Sequence, residues 1–266
     1  MNKTEIIRII KKIGVRPSKR MGQNFALDED FLKLMSKEAQ ITNNDEVLEI
    51  GGGIGTLSEK ILESNPKKLY IYEYDKRLFK ILLDRFKDRK NVVLLNEDYL
   101  KSKSPSYQVN VSNPPFSASS KIFLKVLQER PHVAILTFQK DFVNRLIARP
   151  GSSNYGRLSI ISYFFVDIKI IKNVSRLSFF PSPKVDVSLV KIVPKNKTIE
   201  YSELQNLEYT LKDLFKYRLK IFRKAIKFSN IKNKEEITRN FQELMEKRVF
   251  QLTPEEFLSI SKLSKF

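Results

Sequence analysis

Cysteine is absent from the 266 residues, and histidine occurs once, at His132. Without cysteine there is no disulfide framework, no thiolate nucleophile and no cysteine-based zinc site. A single histidine nearly excludes a histidine metal cage and a Ser-His-Asp triad, so no metal is expected. Long apolar runs are missing too: the longest uncharged one, residues 158–166, falls far short of a membrane span. The opening MNKTEIIRII carries charge among its apolar residues and does not read as a secretory signal. Internal repeats and low-complexity linkers are not found. Together these absences read as a soluble, cytoplasmic protein with no membrane partner. Acid is in short supply: 30 Asp+Glu face 49 Lys+Arg, a net charge of +19. Such a field attracts polyanions, meaning nucleic acid or an anionic membrane surface. Apolar residues are not short, at 41%, with 11% aromatic, which excludes a disordered chain and suffices for a core. The length suits one large domain, or a medium one with a small companion.

Along the chain, the first twenty residues hold seven Lys/Arg and one acid, Glu5. Ile6, Ile7, Ile10 and Ile13 share a helical face that Pro17 terminates. Residues 28–40 read as a helix. An alternating series follows, with strands over 46–50, 68–74, 91–95, 109–112 and 133–138. Helices over 56–64, 76–87 and 119–127 stand between them. Strand–helix alternation predicts a parallel sheet covered on both faces. Residues 157–166 and 185–193 read as β-rich segments able to form an antiparallel edge pair. Pro194 and the polar residues after it read as a boundary between a domain over 1–194, whose basic segment is 1–27, and a small all-α domain over 195–266. There Leu207, Leu211, Leu214, Phe215, Leu219, Phe222 and Ile226 recur at helical spacing. Between Lys212 and Lys234 stand nine Lys/Arg and one acid, Asp213, either a solvated face or an RNA contact. Thr253 before Pro254, Glu255 and Glu256 is a helix start.

Two constellations carry chemistry. Gly51-Gly52-Gly53-Ile54-Gly55 follows a predicted strand and precedes a predicted helix, which lets backbone N–H groups approach a ligand closely. Glu73 ends the next strand, where an acid accepts from both ribose hydroxyls of an adenosine; otherwise it is a surface charge. That spacing also suits NAD. The run Glu49–Gly55 (E-x-G-x-G-x-G) instead resembles motif I of S-adenosyl-L-methionine-dependent methyltransferases, and Asp98 stands where that family sets a side chain against the adenine amino group. The second constellation, Asn113-Pro114-Pro115-Phe116, follows the fourth strand. It resembles the [DNS]-P-P-[YF] corner of methyltransferases acting on amino groups conjugated to a ring. Such a lone pair is delocalised and weakly nucleophilic. Acceptors on both N–H groups, the Asn113 side-chain oxygen and the Pro114 carbonyl, favour a pyramidal nitrogen. Phe116 then stacks on the base, a contact of ~1–3 kcal/mol. The plainer alternative is an Asn-Pro turn.

Further segments make the resemblance specific. Gly22-Gln23-Asn24-Phe25 with Asp28, the stretch 139–159 (QKDFVNRLIARPGSSNYGRLS) and the stretch 180–186 (FPSPKVD) resemble, in order, segments of the small-subunit rRNA adenine N6,N6-dimethyltransferases. The resemblance runs from about Arg16 to Val193. It implies a Rossmann-like α/β sheet with a small helical C-terminal domain, S-adenosyl-L-methionine as cofactor, and small-subunit rRNA as partner. The reaction implied is methylation of N6 on two adjacent adenosines of the 3′-terminal hairpin loop, during ribosome biogenesis. By the same resemblance Asn24 and Ala26 line the methionine end of the cofactor. Gly51, Gly53, Glu73, Asp98 and Asn113 complete its site, and Phe180 is the second aromatic at the target base. The chain is read as a monomer. NPPF departs from the family's usual N-[LI]-P-Y and is commoner in DNA adenine methyltransferases, and Ala26 replaces a leucine. Competing readings are a large-subunit rRNA adenine methyltransferase of the resistance type and a non-catalytic assembly or transcription factor on the same fold.

Overall fold

The computed structural model describes residues 4, 8, 24–196, 199 and 201–266. The predicted helix over residues 6–13, the cations of residues 16–20, and Gly22 and Gln23 lie outside them. The described chain divides into two compact units. One runs to Phe142 and takes in Ile168–Pro194; the other comprises Val143–Asp167 and Lys195–Phe266.

In the first unit a two-residue strand, β1 (Phe25–Ala26), leads into helix α1 (Glu29–Ala39). Asp28 caps α1 by accepting from the Asp30 and Phe31 N–H groups, and Phe31, Leu32, Met35 and Ala39 form its buried face. There follow β2 (Glu46–Ile50), α2 (Thr56–Leu62), β3 (Lys68–Tyr72), α3 (Lys76–Phe86), β4 (Val92–Leu95), β5 (Val109–Ser112), α4 (Ser119–Glu129) and β6 (Val133–Gln139). Next in the chain come helix α5 (Lys140–Leu146), which runs from the first unit into the second, and helix α6 (Arg157–Phe165), which belongs to the second. Strands β7 (Val166–Val174), β8 (Phe179–Phe180) and β9 (Val187–Pro194) complete the sheets. The seven-stranded sheet has the order β4-β3-β2-β5-β6-β9-β7. Its β4-β3-β2-β5-β6 part is parallel and β9 returns antiparallel to β6. This is the expected Rossmann-like α/β sheet. Val47, Leu69, Ile71, Val109, Val111 and Ile135 are buried in its core, as a sheet covered on both faces requires. Separately, β1 pairs antiparallel with β8, setting Phe25 beside Phe180 and Ala26 beside Phe179.

The second unit is helical: α7 (Tyr201–Leu214), α8 (Phe222–Phe228), α9 (Lys234–Asn240) and α10 (Pro254–Leu263), with short 3-10 turns between them. Thr253 and Glu256 cap α10 reciprocally, as the sequence predicts. Two expectations are corrected here. The unit is not confined to residues 195–266. Tyr155, Ile160 and Phe164 share a core with Leu207, Leu211, Phe222 and Phe257, so residues 143–167 belong to the same unit. Correspondingly, residues 157–165 are helix α6, not a strand. Ile160, Ile161, Ser162 and Phe164 are all buried, so the segment is apolar on nearly every side and shows neither a clean 3.6 nor a clean 2 period. The local signal is at its start, where the Gly156 N–H donates to Ser159 Oγ at 3.0 Å. Leu219 is exposed, because α7 ends at Leu214 and the helical period does not carry across the turn that follows. Among the described residues no helix is long and apolar enough to cross a membrane.

Candidate active site

Because β4, β3, β2 and β5 are parallel neighbours, their carboxyl ends open on one side of the sheet, where open α/β sheets bind ligands. The loops that leave those ends line a cavity of about 320 Å³. Of the residues singled out in the sequence, Asn24, Ala26, Gly51, Gly53, Glu73, Asp98 and Asn113 all line it. Pro114, Phe116 and Phe180 do not.

The glycine turn is fixed by its neighbour strand. The Gly51 and Gly52 N–H groups both donate to the Tyr72 carbonyl, at 2.8 and 3.0 Å. Gly53 has φ +58° and its N–H donates to Glu73 Oε2 at 2.8 Å, a conformation that side chains rarely adopt. Glu73 Oε1 accepts from the Asp75 N–H at 2.8 Å. The carboxylate is buried, yet its two oxygens keep acceptor capacity beyond these backbone N–H groups. Burial pushes its pKa up to about 7, the Asp75 charge adding to the rise while the Asp75 and Gly53 N–H groups oppose it. Behind the turn Glu49 is wholly buried, and Ser58 Oγ donates to it at 2.5 Å. Its pKa rises to about 8, chiefly through burial, against the Ser58 hydrogen bond.

Asp98 is held at the mouth of β4 by the Leu100 N–H, which donates to Oδ1 at 3.0 Å. A cluster that the sequence reading missed ties down the same loop. The Tyr99 and Tyr107 hydroxyls both donate to Glu129 Oε2 at 2.6 Å, and Lys125 donates to the Tyr99 carbonyl. Tyr99 lines the cavity, so α4 buttresses a cavity wall through Glu129 and Lys125. Tyr74, also missed, lines the cavity while remaining exposed.

On the β5 side, Asn113 is half-buried. Its Nδ2 donates to the Asn24 carbonyl at 2.8 Å, and its Oδ1 accepts from Thr137 Oγ1 at 2.5 Å. Pro114 is buried beside it. Phe116 is buried as well, with its ring edge-to-face on Phe179, centroids 6.1 Å apart. Phe179, not Phe180, is thus the aromatic that meets Phe116, while Phe180 pairs with Phe25. The signal for Phe179 is in the sequence. Counting F-x-P-x-P-K back from Lys184 lands on Phe179, one residue before the position first assigned. Chemically, the cavity brings together a glycine turn whose N–H groups are taken up within the fold and which leaves room for close approach, a buried acid with acceptor capacity left, a loop Asp and a fixed side-chain amide. That set fits a nucleoside-bearing ligand placed next to an amine-binding corner.

A profile of the family "Ribosomal RNA adenine dimethylase" matches residues 15–265. The chain is 34% identical over 259 residues to a Pyrococcus abyssi protein described as "Probable ribosomal RNA small subunit methyltransferase A", covering 95% of this chain and 93% of that one. A Methanococcoides burtonii protein of the same description is also 34% identical over 259 residues, covering 96% and 95%. Among solved structures, a dimethyladenosine transferase from Plasmodium falciparum superposes with TM-score 0.77 at 28% identity, over 90% of this chain and 98% of that chain. The 23S rRNA methyltransferase ErmE shares the fold, with TM-score 0.67 at 21% identity over the same shares. The chain belongs to the ribosomal RNA adenine dimethylase family.

Proposed function

We propose that this chain methylates N6 of two adjacent adenosines in the 3′-terminal hairpin loop of small-subunit rRNA, using S-adenosyl-L-methionine, during ribosome biogenesis. The observation that carries this reading is the position of Asn113. Its oriented amide stands in the wall of the same cavity as Glu73, Asp98 and the glycine turn. Family membership and the names of the full-length relatives support the substrate class.

When bound, the cofactor supplies a methyl group on a sulfonium, an electrophile in need of a nucleophile held in line. Glu73 would accept from its ribose hydroxyls, Asp98 would engage its adenine amino group, Asn24 and Ala26 would line its amino-acid end, and Gly51 and Gly53 would leave room for it at the turn. Asn113 Oδ1 and the Pro114 carbonyl accept from the two N–H groups of the target adenine, which localises the nitrogen lone pair toward the methyl. The C–N bond would form as the S–C bond breaks, its electron pair staying on sulfur as a neutral thioether, and the proton left on nitrogen would depart to water without a dedicated base. Positioning therefore supplies most of the rate. Phe116 and Phe179 are buried on each other, so a base stacking on either ring requires them to part.

Labelled methyl transfer to isolated small and large ribosomal subunits lacking the modification tests the reading. Label is expected in small-subunit rRNA, at two adjacent adenosines, and is lost with Asn113→Ala while RNA binding persists. Label confined to large-subunit rRNA, or undiminished transfer by the Asn113 variant, overturns it.

A further inference from the structure

Strand β6 reads VAILTFQ, and its residues Ala134, Ile135, Leu136, Thr137 and Phe138 are fully buried. Thr137 is the one polar side chain in that run. A buried hydroxyl is costly unless it is hydrogen-bonded, and an apolar residue of the same shape fills such a position without that demand. Among the described residues, the bond that satisfies Thr137 is the one its Oγ1 donates to Asn113 Oδ1 at 2.5 Å.

Register explains why the two meet. The parallel pairing of β5 with β6 sets Ser112 beside Leu136, so the next residues on each strand, Asn113 and Thr137, fall side by side. Asn113 is then held at both ends. The Asn24 carbonyl can only accept, so it takes the amide NH2 group, at 2.8 Å. The amide oxygen is left facing Thr137, whose hydroxyl donates to it. One of the two lone pairs on that oxygen stays available for a substrate N–H. Turned the other way, the amide would present its own N–H groups to an amine that also needs acceptors, and the corner would repel its substrate.

We infer that Thr137 is a positioning residue for methyl transfer, holding the Asn113 amide oxygen in place in the orientation that the Asn24 carbonyl selects. This rests on Asn113 being the acceptor for the target amine. The test compares full-length wild type, Thr137→Val and Thr137→Ser on small subunits lacking the modification. The readouts are kcat, KM for the subunit, cofactor Kd by calorimetry and Tm. Loosening a positioned group by a fraction of an ångström corresponds to a roughly tenfold loss, and Thr137→Val is expected to lower kcat by at least that factor. KM, cofactor Kd and Tm should stay close to wild type, and Thr137→Ser, which keeps the hydroxyl, should restore kcat. A Val variant with wild-type kcat overturns the inference. So does one whose kcat falls only in step with cofactor affinity or Tm, or a Ser variant that fails to rescue. Wild type inactive on either subunit sinks the reading of the site and this inference with it. Active wild type with an unaffected Val variant sinks the inference alone.

Discussion

At the scale of single residues, protonation decides most. Glu73, lifted to about 7 by burial, and Glu49, lifted to about 8, both hold protons in the fold that the unfolded chain gives up near 4.5. Raising the pH from 4.5 through about 7 therefore costs stability, since across that window the folded state binds more protons than the unfolded state. Denaturation followed across that window should show Glu73→Gln with a flatter stability profile than wild type; an unchanged profile would contradict a buried, proton-holding Glu73. Cofactor binding runs the opposite way. In its proposed role Glu73 accepts from ribose hydroxyls best as the ionised carboxylate, so affinity should weaken as the pH falls below about 7, and calorimetry of the Gln variant should show weak binding with little pH dependence. The residues lining the cavity at the strand ends were readable because glycines, an acid and an Asn-Pro corner punctuate strand ends at fixed offsets. Thr137 was not readable. Its role comes from pairing with a residue 24 positions away, and in sequence it is one more residue of an apolar strand.

At the scale of elements, the β2–α2 turn shows how tightly the sheet constrains the site. A Cβ at Gly52 would run into Ile71 Cγ2 and Leu82 Cδ1, both on buried side chains. Overpacking of this kind costs about 1–3 kcal/mol. Gly52→Ala should lower Tm and weaken cofactor binding together, which thermal unfolding and calorimetry on one preparation would check; cofactor affinity at the wild-type level would show that the turn tolerates displacement. The parallel core of the sheet was legible because apolar strands alternate with amphipathic helices of distinct period, as in EVLEI against KRLFKILLDRF. Helix α6 was not, because burial on nearly all sides erases the periodicity that separates helix from strand.

At the scale of the whole molecule, the charge of +19 does not act as a uniform coat. Within the basic run of the second unit, Arg218 donates to the Ser152, Ser153 and Tyr155 carbonyls and Lys216 pairs with Asp213, so both hold structure. Lys220, Lys224 and Lys227 are exposed and make no ion pair among the described residues, which leaves them available for phosphates. Replacing all three with alanine should weaken RNA binding and reduce the slope of log affinity against log salt by about 2–3, by counterion release. Cofactor affinity should not change. A slope equal to wild type in a filter-binding salt series would place the RNA elsewhere. Sequence alone marked this run as basic but did not separate its structural cations from its free ones, since that division depends on carbonyls some 60 residues away.

The central claim is that the Asn113–Pro114 corner grips an adenine amine facing the methyl donor. A crystal structure of the chain with S-adenosyl-L-methionine and adenosine tests it most directly. The account predicts the adenine N6 at hydrogen-bonding distance, about 2.7–3.2 Å, from both Asn113 Oδ1 and the Pro114 carbonyl, with the donor's methyl aimed at that nitrogen. A bound cofactor whose methyl points away from the corner, or an adenine seated elsewhere, would contradict it.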